Sequence, residues 1–97
     1  MIREEHNIEN MESIKPPLLK ILNVIYEPDS MIEKRFGRYD LAFKTDENGR
    51  AILLFIGKKD ENGRIKGERY ARRLVFDRDG KVTKDHWDNK GKATPQF

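Results

Sequence analysis

The 97-residue sequence contains no cysteine, which excludes disulfide staples and thiolate metal sites. It has two histidines, His6 and His86, far apart in the chain and too few to build a metal centre of their own. Serine is as scarce: Ser13 and Ser30 are the only ones, and neither belongs to a Gly-x-Ser-x-Gly nucleophile elbow. No Gly-x-Gly-x-x-Gly or Walker sequence offers a phosphate cradle. Apolar runs are short. The longest, residues 51–56 and the interrupted stretch 18–26, fall well below the ~20 residues of a membrane span. The opening Met1-Ile2-Arg3-Glu4-Glu5 lacks the apolar core of a signal peptide. These absences point to a non-catalytic protein with no cofactor, metal or membrane partner, placed in a reducing cytoplasm.

Charge, by contrast, is abundant. Charged residues make up 38% of the chain and hydrophobic ones 36%, which suits one small domain with a modest core. The net charge of +3 hides an asymmetry. Residues 1–33 carry three basic and seven acidic side chains, net −4, and residues 34–97 carry net +7. The basic part therefore lies against the acidic N-terminal part or faces an anionic partner.

The pattern predicts an α+β fold: an N-terminal helix packed on an antiparallel β-meander of four or five strands, with a strongly curled, barrel-like sheet as the alternative. Residues 1–14 read as a weakly structured N-terminal segment, 15–88 as the single domain and 89–97 as a flexible tail. Pro16 and Pro17 suit a first helical turn, where a missing N–H costs nothing. From there the polar Lys20, Asn23 and Glu27 form one narrow stripe, which predicts a helix over about residues 17–27, ended by Pro28, with a strand ending at Tyr26 as the competitor because Val24 and Ile25 are β-branched. Ser30 and Glu33 match a capping box, but the six residues between Ser30 and Gly37 are too few for a helix. A strand from Met31 to Phe36 fits, with Gly37-Arg38 as a tight turn or a bulge.

Three turns organise the remainder: Asp46-Glu47-Asn48-Gly49-Arg50, Asp60-Glu61-Asn62-Gly63-Arg64 and Asp77-Arg78-Asp79-Gly80-Lys81. The repeated acids resemble a calcium loop but lack its ligand spacing and its terminal bidentate Glu. Asp followed three residues later by Gly fits a type I turn closed by a left-handed glycine. In that geometry Asp46 pairs with Arg50, Asp60 with Arg64 and Asp77 with Lys81. Counting outward places Phe43 opposite Leu53, Leu41 opposite Phe55, Leu53 opposite Ala71, Leu54 opposite Tyr70, Phe76 opposite Val82 and Arg73 opposite Asp85. One face then gathers Tyr39, Leu41, Phe43, Leu53, Phe55, Arg69, Ala71, Arg73, Val75, Asp85 and Trp87. The other gathers Ile52, Leu54, Ile56, Leu74, Phe76 and Val82, the aliphatic floor expected beneath the helix, together with Ala42, Tyr70, Arg72, Lys84 and His86.

The aromatic face is the expected working surface. Its leading use is self-association, or binding of a protein partner, because a chain of this length has one helix to cover a sheet that is apolar on both sides. A second use is binding of single-stranded nucleic acid or another polyanion. The candidate binding residues are Arg69, Arg72, Arg73, Lys58 and Lys66 for phosphate, with Trp87, Tyr39, Phe43 and Phe55 for stacking. A third is a small ligand held between the helix and a curled sheet.

Overall fold

The computed structural model describes residues 14–93. The weakly patterned segment, Ile14 apart, and residues 94–97 of the expected tail lie outside the described residues. One helix, α1 (Pro16–Leu22), precedes five strands, β1 (Met31–Phe36), β2 (Tyr39–Thr45), β3 (Ala51–Lys59), β4 (Ile65–Phe76) and β5 (Val82–Ala93). The strands form one antiparallel sheet in the order β1-β2-β3-β4-β5, a meander with β1 and β5 at its edges rather than a closed barrel. β5 runs five residues past Asp88, so residues 89–93 are strand and not tail. No described helix is long and apolar enough to cross a membrane.

α1 is shorter than the polar stripe predicts. Pro16 and Pro17 open it, and it ends at Leu22 rather than near Glu27. Val24 and Ile25 are β-branched and lower helix propensity, but the decisive competitor is tertiary. The Tyr26 N–H donates to the Gly49 carbonyl at 2.9 Å, and the Tyr26 hydroxyl donates to the Ile21 carbonyl at 2.7 Å. The second bond reinforces a helix-end carbonyl whose backbone donor, the Val24 N–H, is long at 3.4 Å. Thr45, almost fully buried, holds the rest of this connection. Its hydroxyl donates to the Glu27 carbonyl at 2.6 Å and accepts from the Ser30 N–H at 2.9 Å. The loop from residue 23 to residue 30 is thus bonded to the β2–β3 turn, and β1 starts from it.

All three Asp-Gly turns form as the sequence predicts. Gly49, Gly63 and Gly80 have φ of +83°, +80° and +85°. In each turn the Asp N–H donates to the carbonyl of the basic residue after the glycine, and the Asp carboxylate accepts two backbone N–H groups. The β1–β2 turn is also as expected, with Phe36 opposite Tyr39.

Beyond the turns, two of the three ladders depart from a regular count. In the first hairpin Thr45 pairs with Ala51 but Lys44 pairs with Leu53, so Ile52 has no opposite residue. Phe43 therefore faces Leu54, not Leu53, and Leu41 faces Ile56, not Phe55. The third has two shifts: Phe76 pairs with Val82 and Val75 with Lys84, leaving Thr83 as the extra residue, and Tyr70 pairs with Asn89 but Glu68 with Lys92, setting Lys90 and Gly91 against Arg69 alone. Arg73 therefore faces His86, and Leu74 faces Asp85. The second hairpin stays regular over Leu53–Ala71 and Leu54–Tyr70. Each bulge shifts the strand beyond it by one residue and sends its side chains to the opposite face.

The core follows from these shifts. Leu18 and Leu22 of α1, with Ile14, pack on Leu41, Phe43, Ala51, Leu54, Tyr70 and Trp87. Of the six aliphatic residues expected beneath the helix, Leu54 alone is fully buried, while Phe76 and Val82 are each 43% exposed. The other face carries a smaller cluster of Ala42, Phe55, Ile65 and Ala93, with Leu53 against it. This second face is called distal below, since α1 contributes nothing to it.

The shared turn motif sits in two different environments, which a pair of substitutions separates. A Cβ at Gly63 meets nothing within 4 Å, whereas one at Gly49 collides with the carbonyl oxygen of Tyr26. Gly63→Ala should cost about 1–2 kcal/mol, from the left-handed φ alone. Gly49→Ala should cost roughly 3 kcal/mol or more, since crowding adds to the same strain. Urea unfolding of the two variants checks this, and equal losses would contradict the packing of the loop on that turn.

Candidate binding face

Arg72 is the most heavily bonded side chain of the sheet, and its side chain is 6% exposed. Nε and Nη2 donate to the two oxygens of Asp85, each at 2.7 Å. Nη1 donates to the Ala51 carbonyl at 3.0 Å, and Nη2 also reaches the Asn23 side-chain oxygen at 3.0 Å. The guanidinium lies over the Trp87 ring, 5.4 Å from its centroid. One cation thereby ties the end of α1, the start of β3, β4 and β5 together. The planar fork of arginine suits this bidentate pairing, and a lysine cannot reproduce it. Four of its five N–H groups are thus used inside the fold, which commits Arg72 to structure rather than to a ligand phosphate.

The other expected site residues are divided between the faces. Tyr39, Phe43 and Trp87 lie on the helix side, with Phe43 fully buried and Trp87 nearly so. The Trp87 indole N–H is buried with no acceptor among the described residues. Arg38 stacks over Tyr39 at the β1–β2 turn. Lys58 and Lys66 stand opposite one another near the β3–β4 turn, at the parity of Ile56 and Tyr70 and so on the helix side. Arg69, Arg73 and Phe55 lie on the distal face, where Phe55 is 5% exposed. The single aromatic plane from Tyr39 to Trp87 does not exist, because the first bulge parts Phe43 from Leu53 and Phe55 and the third-hairpin bulge turns Trp87 under the helix. Self-association through such a plane loses its surface with it. The pairing of Arg73 with Asp85 is corrected as well: Arg72 takes Asp85, and Arg73 lies 3.8 Å from Asp88.

What the distal face does gather is cations. Alternation along each strand places Arg35, Lys44, Lys59, Arg69, Arg73 and Lys84 there, with Glu33, Asp40 and Asp88 as the acids. The acids are already engaged. Glu33 binds Lys59 at 2.8 Å, Asp40 lies 3.9 Å from Arg35 and accepts the Lys59 N–H, and Asp88 lies between His86 and Arg73. Lys44, Arg69 and Lys84 have no carboxylate partner among the described residues. Sequence reading missed Lys44 and Lys84, and the signal for both was the parity that the bulges at Ile52 and Thr83 reversed.

Among the described residues no three His, Asp or Glu side chains converge on a metal-sized site. His86 and Asp88 pair at 2.9 Å, but on the surface, and the neighbouring Thr83 hydroxyl donates to the Val75 carbonyl. The Thr83 hydroxyl is turned to the backbone and is not bonded to the His86–Asp88 pair, so the pair has no nucleophile hydrogen-bonded to it among the described residues. No protein-family model matches this chain, and no curated protein or solved structure matches it significantly.

Two outcomes follow from Arg72. Arg72→Leu should lower stability by about 2–4 kcal/mol, since it strips partners from Asp85, Asn23 and the Ala51 carbonyl. Arg73→Leu, whose side chain is 62% exposed, should change it by less than about 0.5 kcal/mol. Chemical denaturation of both variants measures the contrast.

The second outcome concerns acid. The Arg72 hydrogen bonds hold the Asp85 carboxyl below the usual range, while partial burial acts in the opposite sense. Asp40 and Asp60 are lowered too, chiefly by the backbone N–H groups of Lys59 and Arg64. Each therefore binds a proton more readily in the unfolded chain. Their contribution is complete above the unfolded value of about 3.9 and is lost as pH falls through the lower folded values. The urea midpoint should stay level from about pH 7 to about pH 5 and drop below about pH 4. In Arg72→Leu the drop should be shallower, because Asp85 no longer takes part.

Proposed function

We propose that this protein is a non-catalytic binding module that takes an anionic polymer across the distal face of its sheet, the phosphate backbone of a single-stranded nucleic acid being the chemistry that fits best. The observation that carries this reading is the set of unneutralised cations: Lys44, Arg69 and Lys84 have no acidic partner among the described residues, and Arg73 has only a loose one. They share a face to which α1 contributes no side chain. Strand spacing of ~4.8 Å and a two-residue repeat of ~6.6 Å put neighbouring cations on the order of 12 Å apart, so an extended chain can meet several in succession.

The same face argues for how such a chain is read. Among the described residues Phe55 is the one Phe, Tyr or Trp there and is almost fully buried, so the exposed His86 imidazole, paired with Asp88, is the one ring left for base stacking. Recognition then rests on phosphate charge, which is indifferent to base sequence. This departs from binding by aromatic stacking on Trp87, Tyr39 and Phe43, whose rings belong to the helix side.

Fluorescence anisotropy with a single-stranded oligonucleotide tests the reading. Log affinity should fall with log salt at a slope of about −2 to −3, corresponding to three or four phosphates. Poly-U and poly-A strands should bind alike. Replacing Lys44, Arg69 and Lys84 together by Ala should weaken binding about tenfold or more and flatten the slope, with thermal unfolding unchanged. Absence of binding at low salt, or a triple variant that binds as well as the parent, would sink the proposal.

A further inference from the structure

We infer that the acidic segment of residues 1–13 binds the distal cationic face of its own chain and competes there with the anionic polymer; this rests on the binding reading above and adds its regulation. The segment carries Glu4, Glu5, Glu9 and Glu12 against a single cation, Arg3. Four carboxylates on a short chain are the same class of ligand as a run of phosphates, and the distal face presents Lys44, Arg69, Arg73 and Lys84 with little acid to satisfy them.

The point of departure makes the reach easy. Ile14, the first described residue, is buried in the core with Leu18 and Trp87. It lines a cavity of about 220 Å³ together with Asp85, His86 and Trp87 of β5. β5 is an edge of the sheet, so the segment starts beside a border that separates the helix side from the distal face. Lys84 and His86 of β5, and Arg73 beside them on β4, are the first distal residues past that border. Thirteen residues span up to roughly 43 Å when extended. Five strands at ~4.8 Å spacing are about 19 Å across, so every one of the four cations is within range. A tether of this length presents its carboxylates at an effective concentration on the order of millimolar, enough to compete although each contact is weak.

The full-length variant Glu4→Gln/Glu5→Gln/Glu9→Gln/Glu12→Gln keeps the length and removes the charge. Two measurements are made on it and on the parent: affinity for the single-stranded oligonucleotide at low salt, and the amide chemical shifts without oligonucleotide. The variant should bind on the order of three- to tenfold more tightly, with the gain shrinking as salt rises. Shift changes should fall on Lys44, Arg69, Arg73 and Lys84 and their neighbours. If parent and variant bind equally and those four amides do not move, the competition is overturned and the binding reading survives. If neither binds but the four amides still move, the polymer reading fails while the intrachain contact stands as a purely structural one, and the proposed regulation falls with the polymer. Shifts confined to Ile14, Leu18 and Trp87 would place the segment's influence on the helix side and overturn the inference.

Discussion

The Arg72 guanidinium is the interaction on which this structure turns. A seven-residue helix with no side-chain cap has little stability of its own, and it persists because Leu18 and Leu22 are held against the sheet. Arg72 fastens the end of that helix through Asn23 and fastens β3 and β5 through the Ala51 carbonyl and Asp85. Its flat face covers Trp87, so the same group closes one border of the core. A charge this deeply placed is tolerable only because its donors are so fully used.

Arg72 reaches Asp85 because β5 is shifted by one residue at Thr83. The shift also brings Trp87 opposite Arg72 and sends His86 and Asp88 to the distal face. The bulge at Ile52 has a parallel effect on β3, placing Ala51, Leu54 and Ile56 toward α1 while Leu53 and Phe55 turn away. Two single-residue irregularities thus sort the aromatic residues from most of the unpaired cations. The helix side receives Tyr39, Phe43, Tyr70 and Trp87 and holds the larger core, while Phe55 stays in the smaller distal cluster. The distal face receives Lys44, Arg69, Arg73 and Lys84, and a surface of that kind attracts anions by charge rather than by shape.

Much of the fold was legible. The Pro pair, the β1 strand, the Gly37 turn and all three Asp-Gly turns are local features whose chemistry is complete within a few residues. Their boundaries, the order of the strands and the register of the second hairpin followed directly. The length of α1 did not, because Tyr26 leaves the helical path to bond the Gly49 carbonyl, a partner 23 positions away. The bulges at Ile52 and Thr83 did not either. Residues 51–56 are apolar at every position, so both parities bury the same kind of side chain and alternation carries no register signal. Residues 83–86, Thr-Lys-Asp-His, are polar at every position and are silent for the same reason.

The candidate site shares that division. The sequence by itself determined that cations outnumber acids after residue 33, that Arg69, Arg72 and Arg73 lie on one strand, and that an acidic segment precedes them. Composition and local turn chemistry suffice for that much. Only the tertiary structure decided that Arg72 is locked to Asp85 while Arg69 and Arg73 face outward, and that Lys44 and Lys84 join them. The physical reason is parity: adjacent residues of a strand point to opposite faces, and one inserted residue, selected by packing across the sheet, reverses the side on which every later side chain acts.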